Sequence, residues 1–574
     1  MEQVEKIRHS LAHLLAAAVM EFWPKTKLAI GPTIENGFYY DIDFSKVEAS
    51  RRPTSGDFKR IESRMKELIK ENQKFIGKKV SKAAAKKLFK NSPYKLEIIK
   101  ELPGKTVGIY QNGNFLDLCK GGHVESTKEI NPNAFKLTKI AGAYWRGDEK
   151  NKMLTRIYGV AFETEKELKD YLKTQEEAEK RDHKILGPQL ELFMFHPTAP
   201  GMPYWLPKGV IVLNELISFW REEHKNDYRE IISPILNKKE LYIISGHYKH
   251  YWEEMFVVKT PGKEEYGVKA MNCPNAMIVF GSKLRSYRDL PLRFSDTDPL
   301  HRYERSGVLN ALLRTRQFRQ DDAHCFITEE QIESEYENIF KIVKKFYSIF
   351  DIKYEYRLGT RPDGFLGDKK TWDAAENTLR KILKESKITY KENPKDGAFY
   401  GPKVDIVVKD SIGRPWQMGT IQLDFQQPHQ FKLEYTDING QKKTPVVIHR
   451  VIYGSLERFI GFLIEHYVGA FPVWLSPVQV AIIPISDKHI SYAKGVKDKL
   501  IEARIRPELI DKNETLGKKI RGAEIQKIPY LLIVGDKEIQ AQLVSVRQRG
   551  KGDLGQMKLE EFVEKIREEI SKKR

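Results

Sequence analysis

One charged segment, residues 163–184, constrains the organisation of this chain more than any other feature. It reads "ETEKELKDYLKTQEEAEKRDHK", and its few apolar residues, Leu168, Tyr171 and Leu172, recur at helical spacing. That pattern predicts a solvated helix that links separately folded parts. At roughly 150 residues per domain, the chain has room for three or four domains. We therefore predict a first domain over 1–160, a linker helix over 161–180 and further domains beyond it.

The last hundred residues alternate between strand-like and helical stretches. The strand-like stretches are "VQVAIIPI", "RPELID", "PYLLIVG" and "AQLVSVRQ", and an amphipathic helical stretch ends the series. Such alternation predicts a compact α/β module over 473–574. The region between the linker and this module, 181–472, is rich in aromatic residues, arginine and β-forming runs, and we predict one large domain there.

The composition excludes several classes of protein. Three cysteines, at positions 119, 273 and 325, cannot form a disulfide framework, and their scarcity indicates a reducing cytoplasm. No apolar run reaches the roughly 18 residues that span a bilayer, so we expect no membrane partner. Acidic Glu2 and Glu5 precede "LAHLLAAAV", which argues against an export signal. The formal net charge of +19 favours a nucleic-acid partner, although many basic proteins simply carry solvated lysines.

The stretch "KAMNCPNAM" holds Cys273, which could be core packing, a nucleophile or a metal ligand. Catalytic zinc sites commonly have three protein ligands drawn from Cys, His, Asp and Glu. His324 in "RQDDAHCF" and His449 in "PVVIHRVIY" lie in apolar, strand-like stretches where a histidine needs a polar partner or a metal. Residues so far apart carry no local signature, so the residues alone leave the three possibilities open.

Three longer stretches carry a resemblance. "RFSDTDPLHRYER…LLRTRQFRQDDAHCF" has an Arg-x-Glu pair on a strand, a loop and an Arg-rich returning strand. "GSLERFIGFLIEHY" carries Arg458 in a helix, and "LISFWREEHKNDYREIISPIL" is a long helix running into a strand that ends at Pro234. These resemble motifs 2, 3 and 1 of class II aminoacyl-tRNA synthetases. Together with "MNCP", "QDDAH", "AFYGPK", "QLDF" and "IHR", they make essentially the whole chain resemble the threonyl-tRNA synthetase family.

The resemblance implies an α+β multidomain fold. It implies an antiparallel-sheet catalytic domain over 181–472, an α+β editing domain over 1–160 and an α/β anticodon-binding domain over 473–574. The implied reaction joins L-threonine to ATP as an adenylate and then transfers the acyl group to tRNA(Thr). Many relatives carry a ubiquitin-like domain before the editing helix, and we expect none here. Motif 1 usually forms the dimer interface in this class, so we expect a homodimer.

The resemblance also implies a metal site. Cys273, His324 and His449 are the expected ligands of one Zn²⁺ per subunit, and Mg²⁺ is expected with ATP. Threonine can offer its amino nitrogen and hydroxyl to the open coordination positions, whereas valine lacks the hydroxyl. A site built to bind that hydroxyl rejects such an isostere by about 10⁴ or more.

The same resemblance assigns roles around ATP. Arg302 is expected to hold the α-phosphate and the substrate carboxylate, because a guanidinium fork suits planar oxyanions. Glu304 would accept from the adenine amino group, and Phe318 would stack on the base. Arg458 would clamp the distal phosphates, and Arg314 would add a phosphate or acceptor-end contact. The further threonine-pocket residues implied by the resemblance are Asp322, Tyr400, Gln417 and Gln422.

The sequence departs from the family pattern just after Cys273. Many members have a Gly-His pair where this chain has Asn275 and Ala276, and "SGVLNALLR" is less typical around the motif 2 loop. Neither change removes a proposed ligand, but both bear on the rate and on the ATP loop.

Serine makes a second site necessary, because it lacks only one methyl of threonine, a difference worth about 10–200-fold. In "RHSLAHLLAAAVMEF", His9 and His13 lie almost opposite the apolar stripe and beside small residues, as in the wall of a cleft. "DLCKGGH" adds Cys119 and His123 across a double-glycine turn. These four are the implied editing residues. They are also a passable zinc set, and we favour the metal-free alternative, in which they position water against a seryl ester.

The C-terminal stretch "GDKEIQAQLVSVRQRGKGDLG" holds the implied anticodon readers, Glu538 and Arg547, with an ordinary solvated turn as the alternative. Two rival functions are a free-standing metallo-editing hydrolase and a catalytically silent paralogue that regulates RNA. The presence of Arg302, Arg458 and the three expected zinc ligands argues against both rivals.

Overall fold

The structure, a computed structural model, describes residues 2–410 and 412–573. The chain divides into two compact units, and the division falls between Glu177 and Ala178. The two units are described separately below.

Between residues 2 and 164, the first unit contains four α-helices and eight strands. The helices are α1 (Gln3–Phe22), α2 (Phe58–Lys70), α3 (Lys82–Leu88) and α4 (Pro93–Glu101). The strands are β1 (Lys27–Leu28), β2 (Thr33–Ile34), β3 (Gly37–Asp43), β4 (Ile76–Ser81), β5 (Thr106–Asn112), β6 (Phe115–Leu118), β7 (Phe135–Tyr144) and β8 (Met153–Ala161). One antiparallel sheet has the order β1-β3-β8-β7 with β2 beside β3, and a second has the order β4-β5-β6.

Helix α1 lies at the centre of the first unit. It contacts α2 as well as strands β3, β6 and β8. Its predicted apolar stripe is buried except at Phe22, which is half-buried, and Ala12, His13 and Ala16 on the opposite side are buried as well. The small residues of α1 let neighbouring backbone approach closely, so α1 packs against strands of both sheets.

The linker is a helix, α5 (Glu165–Arg181), where the sequence predicts one over 161–180. Leu168 is its only buried residue among those described, and it is one of the three apolar residues that predicted the helix. The charged side chains of α5 are therefore solvated, as the composition indicates.

The second unit begins with the larger of two modules. Its helices are α6 (His183–Gln189), α7 (Pro207–His224), α8 (Lys239–Ile244), α9 (His247–Tyr251), α10 (Cys273–Gly281), α11 (Ile332–Ile349), α12 (Lys369–Glu385), α13 (Gln427–Gln430) and α14 (Leu456–His466). Its short outer strands are β9 (Phe193–Met194), β10 (Tyr204–Trp205), β11 (Arg229–Glu230), β12 (Leu236–Lys238), β13 (Val257–Lys259) and β14 (Glu265–Val268). Its remaining strands are β15 (Leu292–Asp296), β16 (Pro299–His301), β17 (Gln317–Arg319), β18 (Asp322–Ile327), β19 (Tyr354–Gly359), β20 (Tyr390–Asn393), β21 (Lys403–Lys409), β22 (Pro415–Asp424), β23 (Tyr435–Thr436), β24 (Lys442–Lys443) and β25 (Val446–Val451).

An eight-stranded sheet forms the centre of this module. Its order is β11-β15-β18-β25-β22-β21-β19-β20, and all neighbours are antiparallel except the two outermost pairs. Strands β18 and β25 are buried along their whole length. Helices α7, α11, α12 and α14 cover the sheet and contribute many of the buried side chains of the largest hydrophobic core.

The C-terminal module has a mixed five-stranded sheet with the order β27-β26-β28-β29-β30. Its strands are β26 (Val480–Pro484), β27 (Pro507–Leu509), β28 (Tyr530–Val534), β29 (Val544–Gln548) and β30 (Gly552–Met557). Its helices are α15 (Ile490–Glu502), α16 (Leu516–Ile525), α17 (Asp536–Ala541) and α18 (Leu559–Ser571). The alternation in the sequence predicts all of these except the short helix α17 and the hairpin strand β30.

The α+β multidomain fold expected from the sequence is confirmed, and two local expectations need correction. The strand expected to run to Pro234 is only two residues long in β11, because after the bond from Ile231 N to the Ser295 carbonyl the next outward amide, Ser233 N, donates to the Asp298 carboxylate instead of to a strand. Arg302 and Glu304 lie just after the hairpin strand β16 rather than on it. Within the described residues, no helix is long and apolar enough to cross a membrane.

Candidate functional site

Three residues expected to bind metal lie together in the large module. Cys273 begins α10, His324 lies in the middle of β18, and His449 lies directly opposite it on β25. One donor atom from each of the three falls within 4.8 Å of the others, and all three side chains are buried. Two neighbouring strands and one helix end therefore bring together residues 176 positions apart in sequence.

The surroundings of these three residues fit a metal. Burial raises the pKa of the Cys273 thiol and lowers the pKa of His324, so the imidazole stays neutral and able to bind a cation, which when bound would favour the Cys273 thiolate. His449 Nε2 lies 2.8 Å from Asp424 Oδ2, which leaves Nδ1 available as the ligand atom. A carboxylate behind a ligating histidine is a common arrangement in zinc sites. One cysteine and two histidines match the three protein ligands of a catalytic zinc site, in which a fourth position is left for water or substrate.

Polar side chains from the expected threonine pocket lie beside this cluster. Asn272 Nδ2 donates to Asp322 Oδ2 at 3.2 Å, and burial raises the pKa of Asp322 to about 6. The Tyr400 hydroxyl donates to the side-chain oxygen of Gln422, and Gln422 is the register partner of His449 on β22. Sequence reasoning missed Asn272 and Asp424, although both lie inside quoted motifs.

A cavity of 410 Å³ contains the residues expected around ATP, and it is lined by Gln422, the register partner of His449. Its lining includes Arg302, Glu304, Arg314, Phe318, Gln417, Gln422 and Arg458. The hairpin of β16 and β17 places the Arg302 guanidinium 5.0 Å from the ring centre of Phe318. Arg302 Nε donates to the Ala270 carbonyl at 3.2 Å, so the residues before Cys273 help to fix this side chain.

Positive charge converges on this cavity. Arg458 donates to the carbonyls of Leu313 and Gln417, each at 2.9 Å. Burial lowers the pKa of Arg458, and nearby Arg302 and Arg314 lower it further. Arginines held this close repel one another unless an anion lies between them, so the cavity suits a polyphosphate. Arg314 itself pairs with Glu304 at 2.9 Å, and an incoming base would compete for that carboxylate.

The four expected editing residues also lie together, in the first unit. His9 and His13 project from α1, while Cys119 and His123 lie in the loop after β6. Cys119 Sγ is 3.5 Å from His9 Nε2 and 3.3 Å from His123 Nε2. The loop turns through Gly121 and Gly122, whose φ angles of 101° and 93° favour glycine.

Burial keeps this cluster neutral. It lowers the pKa of His13 far below its ordinary value and that of His123 to about 2, and it raises the pKa of Cys119 to about 11. A neutral thiol at physiological pH is a poor nucleophile, so Cys119 is suited to orienting a group rather than attacking it. The four donor atoms lie within 4.8 Å of one another, so this set could also hold a metal.

A buried ion pair adjoins the editing cluster and was missed by sequence reasoning. Lys95 on α4 pairs with Asp117 on β6, and the Tyr40 hydroxyl donates to the same carboxylate. His13 Nε2 lies 4.0 Å from Asp117 Oδ2. The signal that could have found Asp117 is its position two residues before Cys119 in the quoted stretch "DLCKGGH". Lys95 lies in a lysine-rich stretch that offers no comparable signal.

These groups open onto a cavity of 550 Å³. Its polar lining includes His9, His13, Lys95, Asp117 and Cys119, and its apolar lining includes Ile30, Ile98 and Leu102. A few convergent polar groups in a largely apolar concavity are typical of a small-molecule site.

The two expected anticodon residues occupy different environments. Glu538 is buried at the start of α17, where its carboxylate accepts from Gly535 N at 2.9 Å and from Gln556 Nε2 at 2.5 Å. Arg547 is half-buried on β29. No hydrogen bond or ion pair joins Glu538 to Arg547 in the part of the chain that the structure describes. Local contacts therefore give Glu538 a role in fixing the start of α17.

Known proteins match all three parts of the chain. Residues 256–467 match the tRNA synthetase class II core domain (G, H, P, S and T), and residues 479–569 match the anticodon binding domain. Residues 107–158 match the threonyl and alanyl tRNA synthetase second additional domain. The fold, the antiparallel sheet and the arginine-lined cavity therefore define a class II aminoacyl-tRNA synthetase.

Closer relatives identify the family. Threonine–tRNA ligase of Caldanaerobacter subterraneus subsp. tengcongensis is 51% identical over 570 residues, covering 98% of this chain and 87% of the relative. That of Thermotoga neapolitana is 50% identical and covers 99% and 88%. A crystal structure of the RNA binding domain of threonyl-tRNA synthetase from Cryptosporidium parvum Iowa II has a TM-score of 0.65 at 38% identity, covering 67% of this chain and 98% of that one. The chain belongs to the threonine–tRNA ligase family.

Proposed function

We propose that this chain activates L-threonine with ATP, transfers it to tRNA(Thr) and hydrolyses mischarged seryl-tRNA(Thr). The observation that carries the proposal is the convergence of Cys273, His324 and His449 beside an arginine-lined cavity in a chain of this family. No observation favours the silent RNA-binding paralogue, because the residues that ligation would need are all present.

The proposed activation step relies on positioning and on neutralising charge. Attack of the threonine carboxylate on the α-phosphate brings negative groups together. Arg302 would hold both groups, and Arg458 would hold the distal phosphates, for which Mg²⁺ would supply further neutralisation when bound. Phe318 would stack on adenine, and Glu304 would accept from its amino group once Arg314 turns towards phosphate or the acceptor end.

Specificity for threonine is proposed to depend on the buried cluster. Cys273, His324 and His449 would hold Zn²⁺, which when bound supplies Lewis-acid coordination for an amino group and a hydroxyl. Asp322, held by Asn272, would accept a hydrogen bond from the threonine amino group, and the hydrogen-bonded pair of Tyr400 and Gln422 would close the pocket wall. Gln417 is held by Asp405 at 2.7 Å and would line the route to ATP.

Editing is proposed to take place in the 550 Å³ cavity of the first unit without a metal. The neutral imidazoles of His9, His13 and His123 can accept a hydrogen bond from, or donate one to, a water placed against the ester carbonyl. The Cys119 thiol would help to orient that water. The buried ammonium of Lys95 is suited to the amino acid's hydroxyl or carbonyl oxygen, since Asp117 holds it in place.

We propose that a second copy of the chain binds an exposed apolar surface that follows α7 in the sequence. Ile232 is 85% exposed, and Ile235, Leu236, Val257 and Val258, which lie in or just before β12 and β13, are exposed as well. An apolar patch of this kind marks a protein interface. We also propose that Arg547 and Glu538 contact the anticodon. The chain is proposed to form a homodimer in the cytoplasm, where tRNA is charged. A light-scattering mass near that of one chain would contradict the homodimer.

Threonine-dependent ATP–pyrophosphate exchange tests the main proposal. With zinc and magnesium present, we expect exchange that requires threonine and is not supported by valine. Absence of exchange would point to one of the rival functions.

Replacing both His9 and His13 with Ala should abolish hydrolysis of seryl-tRNA while exchange continues, and undiminished hydrolysis would remove the editing assignment. Metal analysis of pure protein with and without the Cys273→Ala change would count the ions held by each cluster.

A further inference from the structure

One face of helix α7 carries three charged residues to which the proposed chemistry gives no role. Lys208, Glu215 and Glu222 follow one another on α7 at intervals of seven residues. Seven residues make almost two full turns of an α-helix, so the three side chains lie on the same face. We call these three residues the α7 stripe. Its two ends are separated by about 21 Å along the helix axis.

The central member of the α7 stripe forms an ion pair with the C-terminal module. Glu215 Oε1 lies 2.7 Å from Nη1 of Arg506, which precedes β27. The same guanidinium donates through Nη2 to the Trp474 carbonyl at 2.6 Å and to the Ser476 carbonyl at 2.9 Å. Arg506 therefore joins α7 both to the C-terminal sheet and to the segment, residues 467–479, that connects the two modules.

The two outer members of the α7 stripe contact other parts of the same module. Lys208 Nζ donates to Gln526 Oε1 at 3.0 Å, and Gln526 Nε2 donates to the Gln189 carbonyl at 3.0 Å. Glu222 Oε2 lies 3.7 Å from Nζ of Lys573, just after α18. The α7 stripe thus meets the end of α16, the start of β27 and the end of α18. Contacts spread along one helix resist rotation of the module as well as its separation.

A second arginine of the C-terminal module holds the connecting segment. Arg549, just after β29, donates through Nη2 to the Ala470 carbonyl at 3.0 Å and to the Phe471 carbonyl at 2.5 Å. Its Nη1 donates to the Lys527 carbonyl. Arg506 and Arg549 together occupy four carbonyls of the connecting segment. A mobile tether would leave such groups to water, so the segment is a fixed joint.

The proposed function requires both modules to contact the same tRNA. The C-terminal module would hold the anticodon, while the arginine-lined cavity would receive the acceptor end. When two binding sites are joined at the correct span, binding at one raises the effective concentration at the other. That gain is lost when the geometry prevents both contacts at once. The angle between the modules therefore affects the affinity for whole tRNA but not the chemistry of activation.

We propose that the α7 stripe and Arg506 align the C-terminal module so that one tRNA(Thr) reaches both the anticodon site and the catalytic cavity. The inference rests on the proposed ligase function. The members of the stripe are positioning residues, because they act through the C-terminal module and not on the substrate. They would set the KM for whole tRNA, whereas threonine activation would proceed without them.

The test compares two double variants of the full chain. The stripe variant is Lys208→Ala with Glu215→Ala. The matched control is Arg221→Ala with Glu223→Ala, which also removes one cation and one anion from α7. The ion-pair partners of the control residues lie on β11 and α11 of the larger module. Three quantities are measured: the kinetics of threonylation of full-length tRNA(Thr), threonine-dependent pyrophosphate exchange, and the affinity for the isolated anticodon stem–loop.

We expect the stripe variant to raise the KM for full-length tRNA(Thr) about tenfold or more, because the two contacts no longer form together. Its kcat at saturating tRNA, its pyrophosphate exchange and its stem–loop affinity should equal those of the parent. The control should match the parent throughout. An unchanged tRNA KM in the stripe variant, or an equal rise in the control, would overturn the proposal. So would lost exchange or stem–loop affinity, which would mean that the stripe only stabilises a module.

Failure of the ligase function itself gives a different result. If the parental chain charges no tRNA, its affinity for full-length tRNA(Thr) is divided by its affinity for the stem–loop. A parental ratio well above one that falls towards one in the stripe variant alone supports the alignment. A parental ratio of one, or the same ratio in all three proteins, would overturn it.

Discussion

His324 and His449 lie directly opposite each other on antiparallel strands β18 and β25, with ring centres 4.9 Å apart. Side chains of directly opposed residues lie on the same face of a sheet, so the pairing register alone brings the two imidazoles together. Cys273 completes the set from the end of α10. A one-residue slip of β25 would turn His449 to the other face and destroy the site.

Replacing Cys273 with Ala should remove the metal. We expect metal analysis of the parental protein to find one zinc in the catalytic module and that of the variant to find none, with exchange activity lost. Cys325→Ala is the matched control, because Cys325 is also fully buried and adjoins His324 but belongs to the hydrophobic core. Zinc retained in the Cys273 variant would refute the ligand assignment.

Replacing Asp424 with Asn should weaken metal binding without removing a ligand. Asp424 accepts from His449 Nε2 and fixes which ring nitrogen faces the cluster. Loss of such a partner typically costs about 10–100-fold in metal affinity. Competition with a chelator should show this shift, whereas an affinity equal to that of the parent would mean that the pair has no influence on the metal.

Replacing Arg458 with Lys should slow activation while threonine binding persists. A lysine keeps the charge but cannot reach both the Leu313 and Gln417 carbonyls and still present a fork to phosphate. We expect pyrophosphate exchange to fall about 10²–10³-fold, the usual effect of losing one preorganised donor. Arg521→Lys on the exposed face of α16 serves as the control and should have full activity. Equal rates for the two variants would contradict the role of Arg458.

Replacing Asp117 with Asn should destabilise the first unit as well as stop editing. The change leaves the Lys95 ammonium buried without a counter-charge, which costs about 3–5 kcal/mol. The double variant Lys95→Met, Asp117→Leu should recover most of the stability in a chemical denaturation experiment but not the hydrolysis of seryl-tRNA. Recovery of hydrolysis in the double variant would show that the ion pair is only structural.

Replacing Glu457 with Gln should change how stability depends on pH. Burial raises the pKa of Glu457 to about 7, although Arg319 N donates to its carboxylate at 2.7 Å. The folded chain then binds more protons than the unfolded chain between about pH 4.5 and 7, so the parental free energy of unfolding falls as pH rises through that window. The variant should lose this part of the slope. Parallel curves for both proteins from pH 5 to 8 would contradict the raised pKa.

Several elements could be predicted because their signals are local. The spacing of Leu168, Tyr171 and Leu172 is a property of neighbouring residues, and the helix α5 that they predict is present. The alternation after position 473 predicts four of the five strands of the C-terminal sheet for the same reason. The length of strand β11 was overestimated, because a strand's length depends on how far its neighbour continues to pair with it.

The sequence by itself determined the class of each segment, the family and the chemical groups available, since residue order fixes periodicity and motif identity. Only the tertiary structure decided which of those groups meet: that Asp424 stands behind His449, that Lys95 reaches Asp117, and that the carboxylate of Glu538 is occupied by Gly535 and Gln556. The reason is physical, because strand register and helix packing are set by burial summed over a whole core. A short stretch of sequence does not include all the residues of that core, so it cannot determine these contacts.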